Sequence, residues 1–306
     1  MQINTGEKTL SGILPVYKEK GFTSFDVVAK LRGILKIKKI GHTGTLDPDA
    51  EGVLPVCVGK ATKLVDMLTD NPKSYEARMI FGMATDTQDI SGKIIKISDF
   101  KSTEEEVINA IASFKGDYDQ IPPMYSALKV GGKKLCDLAR EGKNVERKPR
   151  RVHIYEITVK DMNLKAKTPY ADISVRCSKG TYIRTLIHDA GKKLGCFACM
   201  KSLLRTEAAG YTLDDCLTLG QIEDIFLKST AAAIIRPVEE IFFDLPSVKI
   251  KSDSEHYLKN GNKLFSDNFA EADVTGDMIR IYDSSGEFLA VYKREDDSYK
   301  VKYMFY

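Results

Sequence analysis

Six segments of the chain have the apolar spacing or composition typical of helices. They are expected to cover residues 25–35, 61–68, 103–114, 133–140, 181–194 and 217–226. Two of them begin with a capping box, in which Thr23 precedes Asp26, and Thr103 precedes Glu106, by three residues. Thr181 is expected to cap the fifth helix.

Other segments alternate apolar and polar residues, or are rich in β-branched and aromatic ones, as strands do. The predicted strands are 11–18, 75–81, 93–97, 152–159, 171–177, 278–282, 288–292 and 299–306. Residues 93–97 are expected to return as the partner of 75–81. Because strands and helices interleave without a regular β-α-β rhythm, the pattern favours an α+β fold with a mixed, mainly antiparallel sheet flanked by helices.

The character of the sequence changes near Leu245-Pro246. Three short predicted strands follow, joined by turns at 283–286 and 294–298. We therefore expect two domains, a large one over residues 1–245 and a small β-rich one over residues 246–306.

The bulk composition excludes several classes of protein. The 306 residues are 43% hydrophobic and 29% charged, which suits a folded chain with a sizeable core. The polar N-terminus lacks a signal-peptide core, and no apolar run approaches 18 residues, so we expect a cytoplasmic protein with no membrane span. The lone Cys196–Cys199 pair and four scattered histidines make no zinc set, so we expect no metal.

Charge is concentrated in one place although the net charge is only +3. Residues 129–151, called the basic segment below, hold nine basic and three acidic side chains. Such an excess indicates either a solvated face or a surface that meets phosphates.

Residues 41–63 are rich in glycine and turn-forming residues but match neither the Walker nor the Rossmann glycine pattern. The chain also lacks the nucleophile elbow of serine hydrolases. Elimination leaves Asp47, held extended by Pro48, as either a turn residue or a nucleophile. A nucleophilic carboxylate needs a nearby cation, and Arg184, expected on the first turn of a helix, is the best candidate in the sequence.

Several motifs stand in order over residues 11–212. They are Gly41-His-Thr-Gly-Thr-Leu-Asp-Pro48, Gly52-Val-Leu-Pro55, Gly59-Lys-Ala-Thr-Lys63, Lys73-Ser-Tyr75, the segment from Gly82 to Gly92, Gln120-Ile-Pro-Pro-Met-Tyr-Ser-Ala-Leu-Lys129, Lys179-Gly-Thr-Tyr-Ile-Arg-Thr185 and Leu204-Arg-Thr206. Together they resemble the bacterial tRNA pseudouridine-55 synthases of the TruB type. At one position, Glu19 stands where that family usually has a proline, which leaves the first turn less pre-organised.

The resemblance implies a pseudouridine-synthase catalytic domain that isomerises uridine 55 in the T arm of tRNA without a cofactor. Asp47 would be the nucleophile. Arg184 would pair with it and depress its pKa. Tyr75 would stack on the target base and handle the proton at its C5 atom.

The resemblance also implies contacts with RNA, because a base inside a folded arm must be extruded before it reacts. His42 would prop the opened RNA loop. Tyr182 and Leu203 would wall the base pocket, with plain core packing as the alternative reading. The residues of the basic segment expected to contact phosphates are Lys133, Arg147, Lys148, Arg150 and Arg151.

Residues 246–306 resemble the PUA-like RNA-binding modules that close many of these enzymes, and a small β-domain used only for packing is the alternative. Two other functions compete with a tRNA isomerase. One is a non-catalytic RNA-binding or tRNA-folding protein of the same fold, and the other is a synthase directed by guide RNA. We expect a monomer that needs tRNA but no protein partner, because the substrate is itself large and no sustained heptads occur.

Overall fold

The computed structural model describes residues 10–228, 233–271 and 274–306. The helices within these ranges are α1 (Ser24–Leu35), α2 (Val65–Asp70), α3 (Glu104–Ala112), α4 (Leu135–Arg140), α5 (Ile183–Lys193), α6 (Leu219–Lys228) and α7 (Glu255–Lys259). The strands are β1 (Gly12–Lys18), β2 (Ile40–His42), β3 (Glu51–Val58), β4 (Lys73–Phe81), β5 (Met83–Thr85), β6 (Ile94–Ile97), β7 (Gly116–Gln120), β8 (Lys129–Val130), β9 (Lys133–Lys134), β10 (Arg150–Asn163), β11 (Tyr170–Cys177), β12 (Ala198–Ala208), β13 (Tyr211–Thr212), β14 (Arg236–Pro237), β15 (Ser247–Lys249), β16 (Met278–Tyr282), β17 (Phe288–Glu295) and β18 (Ser298–Met304).

Ten of the strands in the described residues form one large sheet. Its main path runs in the order β14-β1-β3-β12-β4-β11-β10-β7, while β2 pairs with β3 and β13 pairs with β12. Every pairing is antiparallel except the short parallel one between β3 and β12. The predicted α+β class, with a mixed and mainly antiparallel sheet, is therefore confirmed.

Apolar side chains fill the spaces between this sheet and its helices. Val107 of α3 and Ile187 of α5 belong to one buried cluster together with residues of β4, β11 and β12. Leu31 of α1 and Ile222 of α6 belong to a second cluster with residues of β1 and β3. The burial of these apolar faces stabilises the packing of the helices on the sheet that carries the site.

The capping boxes of α1 and α3 are confirmed, because each threonine hydroxyl accepts from the backbone three residues on and each acid reaches back. Three details differ from the sequence prediction. Phe25 of α1 is exposed rather than part of the buried face. Thr181 does not cap α5, since its hydroxyl donates to the Ser178 carbonyl within the preceding turn and Tyr182 occupies the cap position.

The third difference lies at residues 133–140, where the helix begins only at Leu135. Lys133 and Lys134 pair instead with Lys129 and Val130 in a small hairpin. The turn of that hairpin is Gly131-Gly132, with φ of 58° and 85°. Two successive positive φ angles suit a tight hairpin turn, and glycine adopts them without strain.

The pairing of the strand at 93–97 was predicted wrongly. Residues Ile94–Ile97 pair with Met83–Thr85, not with the 75–81 strand. Gly82, with φ of 90°, ends β4 and lets the chain change direction before β5 begins. The hairpin of β5 and β6 is thus a separate two-stranded unit beside the main sheet.

Six strands of the main sheet were not predicted, namely β2, β3, β7, β12, β13 and β14, and β3 and β12 are the central ones among them. β3 lies inside the stretch read as a loop, and it is buried along almost its whole length. A strand buried on both faces shows no alternation, and Gly52 and Pro55 further obscure it. Gly52 is required, because a Cβ at that position would stand 2.2 Å from the carbonyl oxygen of Arg205 on β12.

The three predicted C-terminal strands, β16, β17 and β18, form a second sheet together with the unpredicted β15, in the order β15-β16-β17-β18. Its own apolar cluster includes Ile281 and Tyr292. Another cluster joins Val291 and Phe305 of this region to Leu64 and Leu68 beside the main sheet. The division at 245/246 and the PUA-like character of the second part stay predictions. No helix among the described residues has the length and hydropathy needed to cross a membrane.

Candidate active site

Asp47 lies in the short connection between β2 and β3. Side chains of α1 and β1 hold that connection by hydrogen bonds to its backbone. The hydroxyl of Ser24 accepts a hydrogen bond of 2.9 Å from the Leu46 amide. The ammonium of Lys18, which is fully buried, donates to the carbonyls of Pro48 at 3.1 Å and Phe22 at 2.6 Å. The backbone on both sides of Asp47 is therefore tied to α1 and to the end of β1.

Arg184 forms a two-pronged ion pair with the Asp47 carboxylate. Its Nε lies 2.9 Å from Oδ2 of Asp47 and its Nη2 lies 3.1 Å from Oδ1. The guanidinium also donates to the carbonyls of Thr87 at 2.9 Å and Tyr125 at 3.0 Å, and stands 3.5 Å from Asp89. With its side chain only 5% exposed, Arg184 has one fixed orientation, and this orientation aims the carboxylate.

Burial raises the pKa of Asp47 above its ordinary value, and the guanidinium of Arg184 opposes that rise. The nearby carboxylate of Asp89 adds to the rise. Arg184 lowers the pKa of Asp47 as expected, but desolvation outweighs this attraction, so the net direction is opposite to the one expected. The carboxyl side chain keeps 39% of its surface exposed, so it remains open to a reactant.

Tyr75 and Arg205 are neighbours across β4 and β12, where they occupy directly opposed positions of the ladder. Arg205 is only 1% exposed, and it donates to the carbonyls of Val53 at 2.7 Å and Gly44 at 3.3 Å. Burial raises the pKa of Tyr75, and the positive charge and hydrogen bonding of Arg205 oppose this. Tyr75 therefore carries a protonated phenol next to a fixed cation at neutral pH.

Two cavities meet at the pair formed by Asp47 and Arg184. The first has a volume of about 320 Å³, and its walls include Tyr75, Tyr182 and Leu203. The second, of about 530 Å³, shares Asp47 and Arg184 with the first and is also lined by Lys20, Arg140 and Lys201. Pockets that hold small ligands begin at about 300 Å³, so the first cavity is large enough for one base.

The structure thus brings together Asp47, Arg184, Tyr75, Tyr182 and Leu203, which the sequence singled out from distant segments. Tyr182 is clamped by Gln120, whose side chain accepts from the Tyr182 amide at 2.7 Å and donates to its carbonyl at 3.0 Å. Gln120 itself is buried at the end of β7.

His42 stands apart from this group and lines neither cavity. It ends β2, is half-buried, and accepts a 3.3 Å hydrogen bond from the Gly44 amide. Burial, together with the charge of Arg205, lowers its pKa, so the imidazole is neutral at pH 7.

The five basic residues proposed for phosphate contact differ in their surroundings. Arg151 is held by both oxygens of Asp119 at 3.1 and 3.2 Å, and Lys133 stands 3.6 Å from Glu141. Arg147 donates to the carbonyls of Val145 and Pro122. Lys148 and Arg150 are exposed, and no hydrogen bond or ion pair occupies either side chain within the described part of the chain.

Four polar residues of the site carried no role in the sequence reading. They are the buried Lys18, Lys73 and Arg205, and Asp89, whose side chain is 18% exposed. Lys73 donates to the carbonyls of Thr69 and Asn71 at the end of α2. Burial lowers the pKa of Lys18 and of Lys73 to about 8. Each lies in or beside a motif already noted, but a single sequence does not distinguish a buried cation from a surface one.

The arrangement offers a carboxylate, two fixed guanidinium groups and a phenol around a base-sized cavity. Among the residues that the structure describes, no three His, Cys, Asp or Glu side chains are grouped as metal ligands. The chemistry available to these side chains is nucleophilic and acid–base.

Comparison with known proteins identifies the family. Residues 32–183 match the family model of the TruB family pseudouridylate synthase N-terminal domain, and residues 184–242 match that of the tRNA pseudouridylate synthase B C-terminal domain. The tRNA pseudouridine synthase B of Lachnoclostridium phytofermentans is 50% identical, over 94% of this chain and 96% of its own. That of Clostridium tetani is 42% identical, over 95% and 98%.

Solved structures agree at the level of the fold. A Cbf5-Nop10-Gar1 complex includes a chain that superposes with a TM-score of 0.70 at 28% identity, covering 96% of this chain and 84% of that one. An H/ACA RNP bound to a substrate RNA containing 2'-deoxyuridine gives a TM-score of 0.69 at 26% identity, covering 96% and 85%. The chain belongs to the TruB family of pseudouridylate synthases.

Proposed function

We propose that this isomerase converts uridine 55 in the T arm of tRNA to pseudouridine, with Asp47 as the nucleophile. The observation that carries the proposal is the Asp47 carboxylate, aimed by the two-pronged contact of the buried Arg184 into a base-sized cavity. Relatives at 42–50% identity over nearly the whole chain are named tRNA pseudouridine synthase B, which supports tRNA as the substrate.

The reaction rearranges bonds within one nucleotide and needs no external reactant. The bond between N1 of uracil and C1′ of ribose breaks, the base turns, and a bond forms between C5 and C1′. The proton on C5 leaves, and N1 gains a proton. Asp47 holds the detached fragment by attacking either the pyrimidine ring or C1′, and the geometry of the site is compatible with both points of attack.

Tyr75 and Arg205 are placed to assist this rearrangement. The phenol ring forms part of the cavity wall, where an extruded base would stack on it. Its oxygen lies beside the Arg205 guanidinium, which would stabilise a phenolate while the C5 proton is moved. Tyr182 and Leu203 would enclose the base from other sides.

Contact with the rest of the T arm is assigned to His42 and the basic segment. The neutral imidazole of His42 would pack against the opened RNA loop. Within the basic segment, Lys148 and Arg150 are better placed for phosphates than Lys133, Arg147 and Arg151, whose side chains already hold protein partners. We also propose that the enzyme acts in the cytoplasm, where tRNA is found, as a monomer without a protein partner.

Two alternative functions are less well supported. A non-catalytic RNA-binding protein would have no need of the two-pronged ion pair between Asp47 and Arg184. A guide-directed synthase would match the H/ACA chains best, but their identity to this chain is 26–28% against 42–50% for the tRNA enzymes.

The test uses a tRNA transcript labelled with tritium at uracil C5. With every uridine of the transcript labelled, we expect the enzyme to release the tritium of one uridine from the transcript with uridine 55 and none from the transcript with cytidine 55. Release from the cytidine 55 transcript would show that the site is misassigned. Binding without any release would favour the RNA-binding alternative.

A further inference from the structure

Ser126 has a buried hydroxyl that the described structure leaves without a hydrogen-bond partner. The residue is 6% exposed, and less than 1 Å² of its Oγ atom is accessible. An unpartnered buried hydroxyl is costly, so native structures rarely retain one without a reason. Ser126 belongs to the walls of both cavities that meet at Asp47.

The backbone of Ser126, by contrast, is held firmly. Its carbonyl accepts from the Cys136 amide at 3.0 Å, and its amide donates to the Met124 carbonyl at 3.0 Å. The carbonyl of the preceding Tyr125 accepts from Arg184 at 3.0 Å. The side chain is therefore presented to the cavities by a backbone that is itself tied to the cation of the ion pair.

The phenol of Tyr182 lies close enough to the Ser126 hydroxyl to interact with it. The Ser126 hydroxyl lowers the pKa of Tyr182, against the larger raising effect of burial, so the two groups are neighbours. No hydrogen bond closes between them in the described geometry. Both residues line the first cavity, so a base that enters it meets the two side chains together.

We propose that the Ser126 hydroxyl binds the target uracil, by a hydrogen bond to the edge of the base that carries O2, N3 and O4. This rests on the proposed function, since it takes the first cavity to be the base pocket. As a donor, the hydroxyl would bind one of the two carbonyl oxygens of the base, O2 or O4. The bond would form with Tyr182 still part of the pocket wall, once its side chain has turned away from Ser126.

The first measurement compares activity with stability in Ser126→Ala. We expect kcat/KM for tritium release from the T arm to fall about 3- to 10-fold, as for the loss of one neutral hydrogen bond. Because the hydroxyl has no partner in the free protein, the melting temperature should stay the same or rise by about 1–2 °C. A hydroxyl with a structural role would give the opposite pattern, a lower melting temperature and unchanged kcat/KM.

Ser98→Ala serves as the matched control. The Ser98 hydroxyl accepts from the Phe197 amide at 3.2 Å and lines neither cavity. We expect that variant to lose some thermal stability and to keep its kcat/KM. An equal loss of kcat/KM in both variants would overturn the assignment of a substrate contact to Ser126.

The second measurement identifies the contact by changing the base. T-arm hairpins carrying uridine, 2-thiouridine or 4-thiouridine at the target position are bound to Asp47→Asn protein with and without Ser126→Ala. A thiocarbonyl is a weaker acceptor than a carbonyl. Sulfur at the contacted position should therefore weaken hairpin binding less in the Ser126→Ala protein than in the protein that keeps Ser126. If 2-thiouridine and 4-thiouridine each weaken binding by the same factor with and without Ser126, the proposal is contradicted. Since this comparison needs no turnover, it remains decisive if the proposed reaction fails.

Discussion

The two sides of the candidate site differ in how their positively charged side chains are held. On the side of the main sheet, Lys18 and Arg205 are buried and donate to fixed backbone carbonyls. On the side of the basic segment, Lys148 and Arg150 are exposed and hold no protein partner in the described structure. The first arrangement positions reacting groups, and the second leaves charge available for a polyanion.

The comparison predicts that changes on the buried side alter turnover, whereas changes in the basic segment alter affinity. A buried cation cannot rearrange when its partner changes, because moving it into another environment costs several kcal/mol. An exposed cation is screened and mobile, so it contributes mainly to long-range attraction. The four predictions below are given from the largest expected effect to the smallest.

Replacing Arg184 by alanine should be the most damaging of these changes. Loss of the group that aims the carboxylate is expected to lower kcat by about 10³-fold. The pKa of Asp47, already raised by burial, should rise further without the guanidinium, so the acid limb of the kcat/KM profile should move to higher pH. Measuring that profile between pH 4 and 9 tests both effects. An acid limb at unchanged pH would exclude Asp47 as the titrating group.

Replacing Lys18 by methionine should loosen the connection between β2 and β3 that carries Asp47. Three carbonyls lose their donor, so we expect kcat to fall about 10-fold with little change in KM. Burial lowers the pKa of Lys18 to about 8 in the folded chain, and the unfolded chain binds its proton up to about 10.4. The contribution of Lys18 to the free energy of unfolding therefore rises with pH between 8 and 10.

The stability of wild type relative to Lys18→Met should accordingly increase over that pH range. Urea unfolding of both proteins at pH 7, 8, 9 and 10 measures it. A constant difference would mean that Lys18 titrates normally. Lys30→Met, on the exposed part of α1, is the control that should show neither effect.

Replacing Lys148 and Arg150 together by alanine should weaken binding and leave chemistry intact. We expect KM for tRNA to rise about 10-fold, kcat to stay constant, and the slope of log affinity against log salt to fall by about 1 to 2. Filter binding at several salt concentrations gives the slope. A lower kcat with an unchanged slope would place these side chains in the catalytic machinery instead.

Replacing Arg151 by alanine should have the smallest effect, because Asp119 already occupies its guanidinium with two contacts. We expect less than about a twofold change in affinity, since exposed pairs contribute little. A loss as large as that of the Lys148 and Arg150 double variant would show that Arg151 exchanges its protein partner for phosphate.

The sequence predicted which residues meet at this site better than it predicted the sheet that carries them. Asp47, Tyr75 and Arg184 lie in short ordered motifs, and most helices carry clear apolar spacing. β3 escaped because it is a central strand, buried along almost its whole length and interrupted by Gly52 and Pro55. β12 escaped because two irregularities in its pairing with β4 break the alternation of buried and exposed residues. The sequence cannot show desolvation either, which is why the direction of the Asp47 pKa was predicted wrongly.

The measurement that tests the central claim most directly is tritium release by Asp47→Asn. Asparagine keeps the size of the side chain and accepts a hydrogen bond from Arg184, but it is a far weaker nucleophile. With a tRNA transcript labelled at C5 of uridine 55, we predict unchanged binding and no detectable release. Release at the wild-type rate by the folded Asp47→Asn protein would contradict the role given to Asp47.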